Sequence, residues 1–409
     1  MRVSSIKYLF SEQRALLCLL QQALWGVQPS LPTANWNLVE TLAIQQGVLC
    51  LLYQGAKAYP NDIPIERIKT WRADMISAAM RNDEVNAVQN QVISWINKLD
   101  IRVAVLKGLS CSRFYPVPEV CALGDIDLLL DRENIAKVGE YLQRQGFELT
   151  QNEHHFHSGY HRGNVSVELH YAVTQFPDSR GGMKAKEISK RFLSGIQECT
   201  VNGSSFPALM DIHQALVLLL HMERHMIEEG IGLRQLCDWA TFVHGISIEY
   251  WQKQVLPTLQ ECGMLTFAKV LTKTCVNYLG LDPKRVMWCE NIDDSLAAEM
   301  ISEIFRGGNM GVAEEEPMVN LFFDRSRLGK NNQSRIRGLL IRITQLAQEQ
   351  YPCTQKVKIL LPIFWVYIPV RYWVRSLVGL RDRKKVMQLW GAAERRQKLY
   401  KALKLYRIR

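Results

Sequence analysis

Residues 101–130 read IRVAVLKGLSCSRFYPVPEVCALGDIDLLL, and residues 165–170, thirty-five positions further on, read VSVELH. The first eight residues, IRVAVLKG, are short, β-branched and closed by a glycine, as a buried strand requires. A helical turn over 109–115 and the turn-rich YPVPEV follow. DIDLLL is then a second strand, with acids alternating against apolar positions. Residues i and i+2 of a strand point to the same face, so the carboxylates of Asp125 and Asp127 stand side by side, about 7 Å apart along the backbone. Two like charges that close repel unless a cation sits between them. Paired carboxylate oxygens suit Mg²⁺, which keeps several waters and also takes substrate phosphates. Glu168 on the VSVELH strand supplies a third acid, and His170 shares its face. Lys107 and Gly108 end the first strand where a helix begins, a position from which a lysine and a bare backbone can meet a polyphosphate.

Outward from this centre, ENIAKVGEYLQRQG (133–146) has the period of a helix, with Gly146 placed as its terminating glycine. FELTQ, EHHFHSGYH and NVSVELHYAV read as three more strands. Residues 100–178 thus form an α+β unit of order β-α-β-α-β-β-β. Helical periodicity governs both flanks. Before the unit it covers residues 11–24 and 65–99. After it, from about 182 to 305, HQALVLLLHMERHMIEEG and LRQLCDWATFVHG are the clearest pair. This divides the chain into a helical region 1–99, a catalytic core 100–178, a helical domain 179–308 and a helical segment with a basic tail, 309–409.

The full chain of 409 residues is long enough for two or three domains and has the composition of a globular protein, with 47% hydrophobic and 22% charged residues. Its net charge of +10 is uneven. Residues 371–409 hold thirteen Lys or Arg against Asp382 and Glu394, a net +11, and the other 370 residues net −1. A neutral body with a basic tail is expected, not a surface built for nucleic acid. The tail reads first as a basic helix docked on the body, with Val386, Leu389, Trp390, Leu399, Leu403 and Leu405 as its apolar contacts; an anionic membrane surface or an acidic partner is the alternative, with nucleic acid the less favoured partner. The longest apolar run, residues 359–370, is interrupted by Pro362 and Pro369 and is too short to span a bilayer. The amino terminus carries Glu12, Gln13 and Arg14 where a signal peptide needs an unbroken apolar core. A cytoplasmic protein is therefore expected, at most peripheral at the inner membrane face. Its ten cysteines lack zinc-site spacing and are expected as thiols.

Three weaker patterns stand outside the core motif. His155, His157 and His161 share a strand face by period two, without an acid or cysteine at metal-ligand spacing, so an exposed strand is expected there. His221 and His225 sit at i and i+4, but HMERH is not HExxH and its glutamate points away from the pair, so helix packing is expected. Arg234 and Asp238 at i and i+4 fit a helix ion pair better than a nucleotide contact.

The ordered pieces LKG, YP, GDIDLL and ELH, with LLLHMERH and GIGLRQLCDWATF after them, resemble the bacterial uncharacterised nucleotidyltransferase family, within the superfamily that has the DNA-polymerase-beta-type fold. The likeness spans about residues 90–380. It implies a mixed-sheet core and transfer of a nucleoside monophosphate from an NTP co-substrate to an acceptor hydroxyl, with release of pyrophosphate. Asp125, Asp127 and Glu168 would be the catalytic, metal-holding carboxylates for Mg²⁺ or Mn²⁺. Lys107, Gly108, Ser110 and His170 would face the nucleotide. Two departures stand out. The usual Gly-Ser pair is Gly108-Leu109-Ser110, and the arginine expected before GDIDLL is Cys121, leaving Arg113 as its nearest substitute. These departures motivate an alternative: a catalytically degenerate nucleotide-binding or scaffold module acting through a partner protein or membrane surface. The acceptor, and which NTP is used, are not encoded in any motif.

Overall fold

A computed structural model describes residues 9–309 except 155 and 229, scattered positions between 340 and 360, and residues 361–377 and 395–408. His155, Val386, Leu389 and Trp390 lie outside the described residues.

Four helices come first: α1 (Ser11–Trp25), α2 (Trp36–Gln45), α3 (Leu49–Ala56) and α4 (Ile65–Lys98). The core follows as β1 (Val103–Val105), α5 (Leu109–Ser112), β2 (Ile126–Leu130), α6 (Ile135–Arg144), β3 (Glu148–His154), β4 (His157–Arg162) and β5 (Val165–His170). Next come α7 (Arg180–Ser189), β6 (Ile196–Val201) and β7 (Ser204–Leu209), then α8 (Asp211–Glu228) and α9 (Leu233–Gly245).

The seven strands make one mixed sheet in the order β3-β4-β5-β2-β1-β7-β6. β1 runs antiparallel to β2, while β2 and β5 are parallel and pair Asp127 with Glu168. The sheet continues to residue 209, beyond the expected return to helix near residue 182. The hairpin β6–β7 turns at Asn202-Gly203, both at positive φ (50° and 80°), which is what a tight hairpin demands of its two central residues. β7 then pairs parallel with β1 and covers what would otherwise be an edge.

Strand alternation sorts the core into two layers. Val103, Val105, Leu128, Leu130, Val167 and Leu169 pack under α4 and α6 with Val92, Ile96, Val138 and Leu142. Ala104, Leu106 and Leu129 face the opposite way, into a cluster shared with α8, α9 and the amino-terminal helices. Each fully buried aliphatic side chain contributes about 1.5–3 kcal/mol, so a one-residue slip of β2 would invert its whole pattern. The same alternation puts Asp127, Glu168 and His170 on the α8–α9 side.

The described end of the tail is folded against the body. Leu399, Leu403 and Leu405 are buried, Arg396 pairs with Glu303, and the Tyr406 hydroxyl donates to Glu223 on α8. No described helix is long and apolar enough to cross a membrane, and the described cysteines are all free thiols.

Candidate active site

Lys107 leaves the end of β1 with its Nζ 2.9 Å from Asp127 Oδ1. The same oxygen lies 2.9 Å from His170 Nε2, which is also 3.0 Å from Glu168 Oε2. Asp127 is almost fully buried. Burial alone would raise its carboxyl, but Lys107 and His170 outweigh it and hold the group well below the ordinary carboxylate range. Glu168 is likewise raised by burial and more strongly lowered by His170. For His170, burial opposes protonation, and the two carboxylates overcome it and raise its pKa. Asp125 stands just before β2, at the exposed mouth. Its carboxyl is raised by partial burial and by the charges of Glu168 and Asp127. The three acids therefore converge closely enough to feel one another.

Gly108 follows Lys107 at φ 62°, ψ −111°, a conformation essentially confined to glycine. Ser110 does not reach the cleft. It is fully buried, and its hydroxyl donates to the Val105 carbonyl at 2.8 Å. Arg113 is no substitute for the missing arginine either, since it pairs with Asp211 at 2.6 Å and lies over the Phe114 ring.

The opposite wall comes from α8 and α9. A cleft is lined by Lys107, Gly108, Asp125, Asp127 and Glu168 on the core side and by His221, Arg224, Arg234 and Asp238 on the helical side. Phe156 joins the walls. Its ring stacks on His170 at 6.2 Å between centroids and carries the Arg224 guanidinium at 5.0 Å.

The expected ion pair between Arg234 and Asp238 does not form within 4.0 Å. Asp238 instead accepts from the Tyr115 hydroxyl at 2.6 Å, and burial keeps its carboxyl raised despite Arg234 nearby. The Arg234 guanidinium stands over Gly124, where an added Cβ would lie 3.9 Å from both terminal nitrogens. A guanidinium thus sits beside the segment before Asp125 after all, supplied from α9 more than a hundred residues later. The thiols of Cys111, Cys121 and Cys237 are pushed well above their usual range by burial, the setting of inert structural cysteines.

The family model described as an uncharacterised nucleotidyltransferase matches residues 32–280, well over half the chain and all of both walls. The chain belongs to this family. No curated protein matches it. A nucleotidyltransferase site is also what the acids suit. Asp125, Asp127 and Glu168 offer only oxygens, the donor type for Mg²⁺, and their mutual repulsion at Asp125 is what a bound cation would relieve. Without one, Lys107 and His170 supply the countercharge. Sequence reasoning missed Arg224 as a cleft residue and ranked a helix ion pair above a ligand contact for Arg234. The signal for the first was present: His221, Arg224 and His225 follow directly on the apolar LVLLL run, within two helical turns of it.

Proposed function

We propose that the protein transfers a nucleoside monophosphate from an NTP to an acceptor hydroxyl on a polymerase-beta-like core. The observation carrying this reading is the pairing of Asp127 with Glu168 across parallel strands, with Asp125 two residues before and Lys107 2.9 Å from Asp127, inside the family match. Asp125 and Asp127 would hold Mg²⁺ or Mn²⁺, which supplies charge neutralisation for the triphosphate in an in-line displacement. Lys107, Arg224 and Arg234 bind phosphate oxygens from the two walls, and Gly108 lets the polyphosphate approach the backbone. The acceptor oxygen bonds the α-phosphorus, the bond to the pyrophosphate oxygen breaks, and the acceptor proton leaves to Glu168.

The cleft's volume, about 160 Å³, is smaller than the roughly 300–1,000 Å³ that encloses a drug-sized ligand. It fits the phosphate end, with base and acceptor lying toward the mouth. A nucleotide-binding scaffold without turnover is the second reading, favoured by Cys121 at the position where the resemblance calls for arginine.

Pyrophosphate release with each NTP and Mg²⁺ or Mn²⁺, compared between the parent and the Asp125→Asn/Asp127→Asn double variant, tests the proposal. Release that depends on the carboxylates is expected. Equal release from the double variant would refute it, and Mg²⁺-dependent nucleotide binding without release would establish the scaffold reading instead.

A further inference from the structure

Beside the all-oxygen acids lies a second group of different chemistry. His157 on β4 and His170 on β5 face each other in register, and both turn toward Glu168. His157 Nε2 is 3.7 Å from Glu168 Oε1, and His170 Nε2 is 3.0 Å from Glu168 Oε2. One carboxylate is thus forked between two imidazoles. The residue paired with Glu168 on β4 is Gly159, so no side chain fills the space across from the carboxylate. One ligand atom from each of the three residues lies within 4.8 Å of the others. Both histidines are nearly buried, at 7% and 4% exposure, while Glu168 opens into the cleft.

Two ligands on one tetrahedral ion at about 2.1 Å stand about 3.4 Å apart, close to the 3.0 and 3.7 Å found here. The third separation, between the two imidazoles, is within 4.8 Å, so side-chain rotation that draws the histidines together would complete the coordination. The donor set decides the ion. Mg²⁺ demands oxygen ligands and gives up its water reluctantly, whereas two imidazoles and a carboxylate suit zinc-class metals. Three protein ligands with a fourth position open to the cleft is the arrangement of a zinc site that keeps a water or substrate oxygen.

We propose that His157, Glu168 and His170 form a transition-metal site of the zinc class, adjacent to and chemically distinct from the Asp125–Asp127 position. When it is filled, His170 Nε2 turns from Asp127 to the metal, and Lys107 remains as the partner of Asp127. The site shares Glu168 with the proposed nucleotidyltransferase centre, but it exists whether or not the protein turns over an NTP.

The test is a Co²⁺ titration of the full-length, chelator-treated protein without nucleotide, followed by visible ligand-field absorption and by calorimetry. One equivalent should bind with a nitrogen-ligated spectrum, be displaced by Zn²⁺, and resist millimolar Mg²⁺. Losing a residue behind a metal ligand already costs 10–100-fold in affinity; losing the ligand itself in His157→Ala or His170→Ala should cost more than about 100-fold. His161→Ala, a nearby histidine paired with Glu148, and Asp125→Asn should keep the spectrum. Circular dichroism of each variant controls for folding. Unchanged Co²⁺ affinity in folded His157→Ala, displacement by Mg²⁺, or no stoichiometric binding by the parent would each overturn the proposal. Because nucleotide is absent, none of these outcomes bears on pyrophosphate release, so the two readings fail separately.

Discussion

Replacing Lys107 with methionine keeps the apolar stem and removes the ammonium that faces Asp127 at 2.9 Å. Side-chain exposure is 22% for the lysine and 5% for the aspartate, so water cannot take over the lost interaction. Breaking a buried pair from one side costs about 3–5 kcal/mol. His170 still holds the same carboxylate oxygen, which brings the expected loss to about 2–3 kcal/mol. At about 2–4 °C per kcal/mol for a folding unit of this size, Tm should fall by about 4–12 °C. The pH dependence is more diagnostic. The Asp127 carboxyl is depressed in the folded protein, so its stabilising contribution is present above the unfolded pKa of about 3.9 and fades as pH falls below it. Lys107→Met removes one cause of that depression. The unfolded chain is the same in both proteins, so the deficit should stay level from pH 8 to 5 and shrink only at lower pH, once Asp127 of the folded variant takes up its proton. Scanning fluorimetry in chelator at several pH values, repeated with Mg²⁺, reads both effects. Mg²⁺ should raise the Tm of the variant more than that of the parent, where the ammonium already neutralises Asp127. A deficit that changes between pH 8 and 5, or an equal response to Mg²⁺, would refute the reasoning.

Three further outcomes are expected. Arg234→Lys keeps the charge over Gly124 but loses the planar fork that grips phosphate from two nitrogens; with charged hydrogen bonds contributing about 1.5–3 kcal/mol, KM for the NTP should rise at least about 10-fold at nearly constant Tm. An unchanged KM would place the phosphates elsewhere. Gly108→Ala meets open space, since only Leu123 lies near the added Cβ at 3.7 Å; its cost should be the conformational one, about 1–3 kcal/mol, seen as a lower Tm, and a silent substitution would show that the turn relaxes freely. For His170, whose pKa is raised in the folded state, the stabilisation is complete below the unfolded value of about 6.5 and is lost as pH rises through the folded value. Metal-free parent should accordingly lose Tm more steeply than His170→Gln as pH rises above about 6.5, and parallel pH profiles would contradict the assignment.

Most of the core was legible because its physics is local. The alternation in DIDLLL and VSVELH fixes which side chains share a face, and it puts Asp127 and Glu168 together once β2 and β5 pair. The β6–β7 hairpin escaped because its strands, IQECTV and SSFPAL, lack a strong apolar period, although Asn202-Gly203 between them is a hairpin signal. Ser110 was read by position in a motif, and its motif spacing does not reveal that its hydroxyl is consumed by the Val105 carbonyl. The helical wall was least legible. Arg224 and Arg234 look like ordinary helix charges, and His157 finds its acid across a strand pair rather than along the chain. Such juxtapositions are set by tertiary packing, which no spacing within one element encodes.

Gln46, fully buried just after α2, has a wider reach than its place in the sequence suggests. Its backbone carbonyl accepts from the Arg234 amide and its side-chain oxygen from the Leu233 amide, while its side-chain nitrogen donates to the carbonyls of Ile304 and Phe305. One amide thus anchors the first turn of the helix that carries the cleft guanidinium. The position of that guanidinium is set partly by the amino-terminal bundle. Variation around residue 46 would shift the guanidinium from behind, without altering any group that lines the cleft.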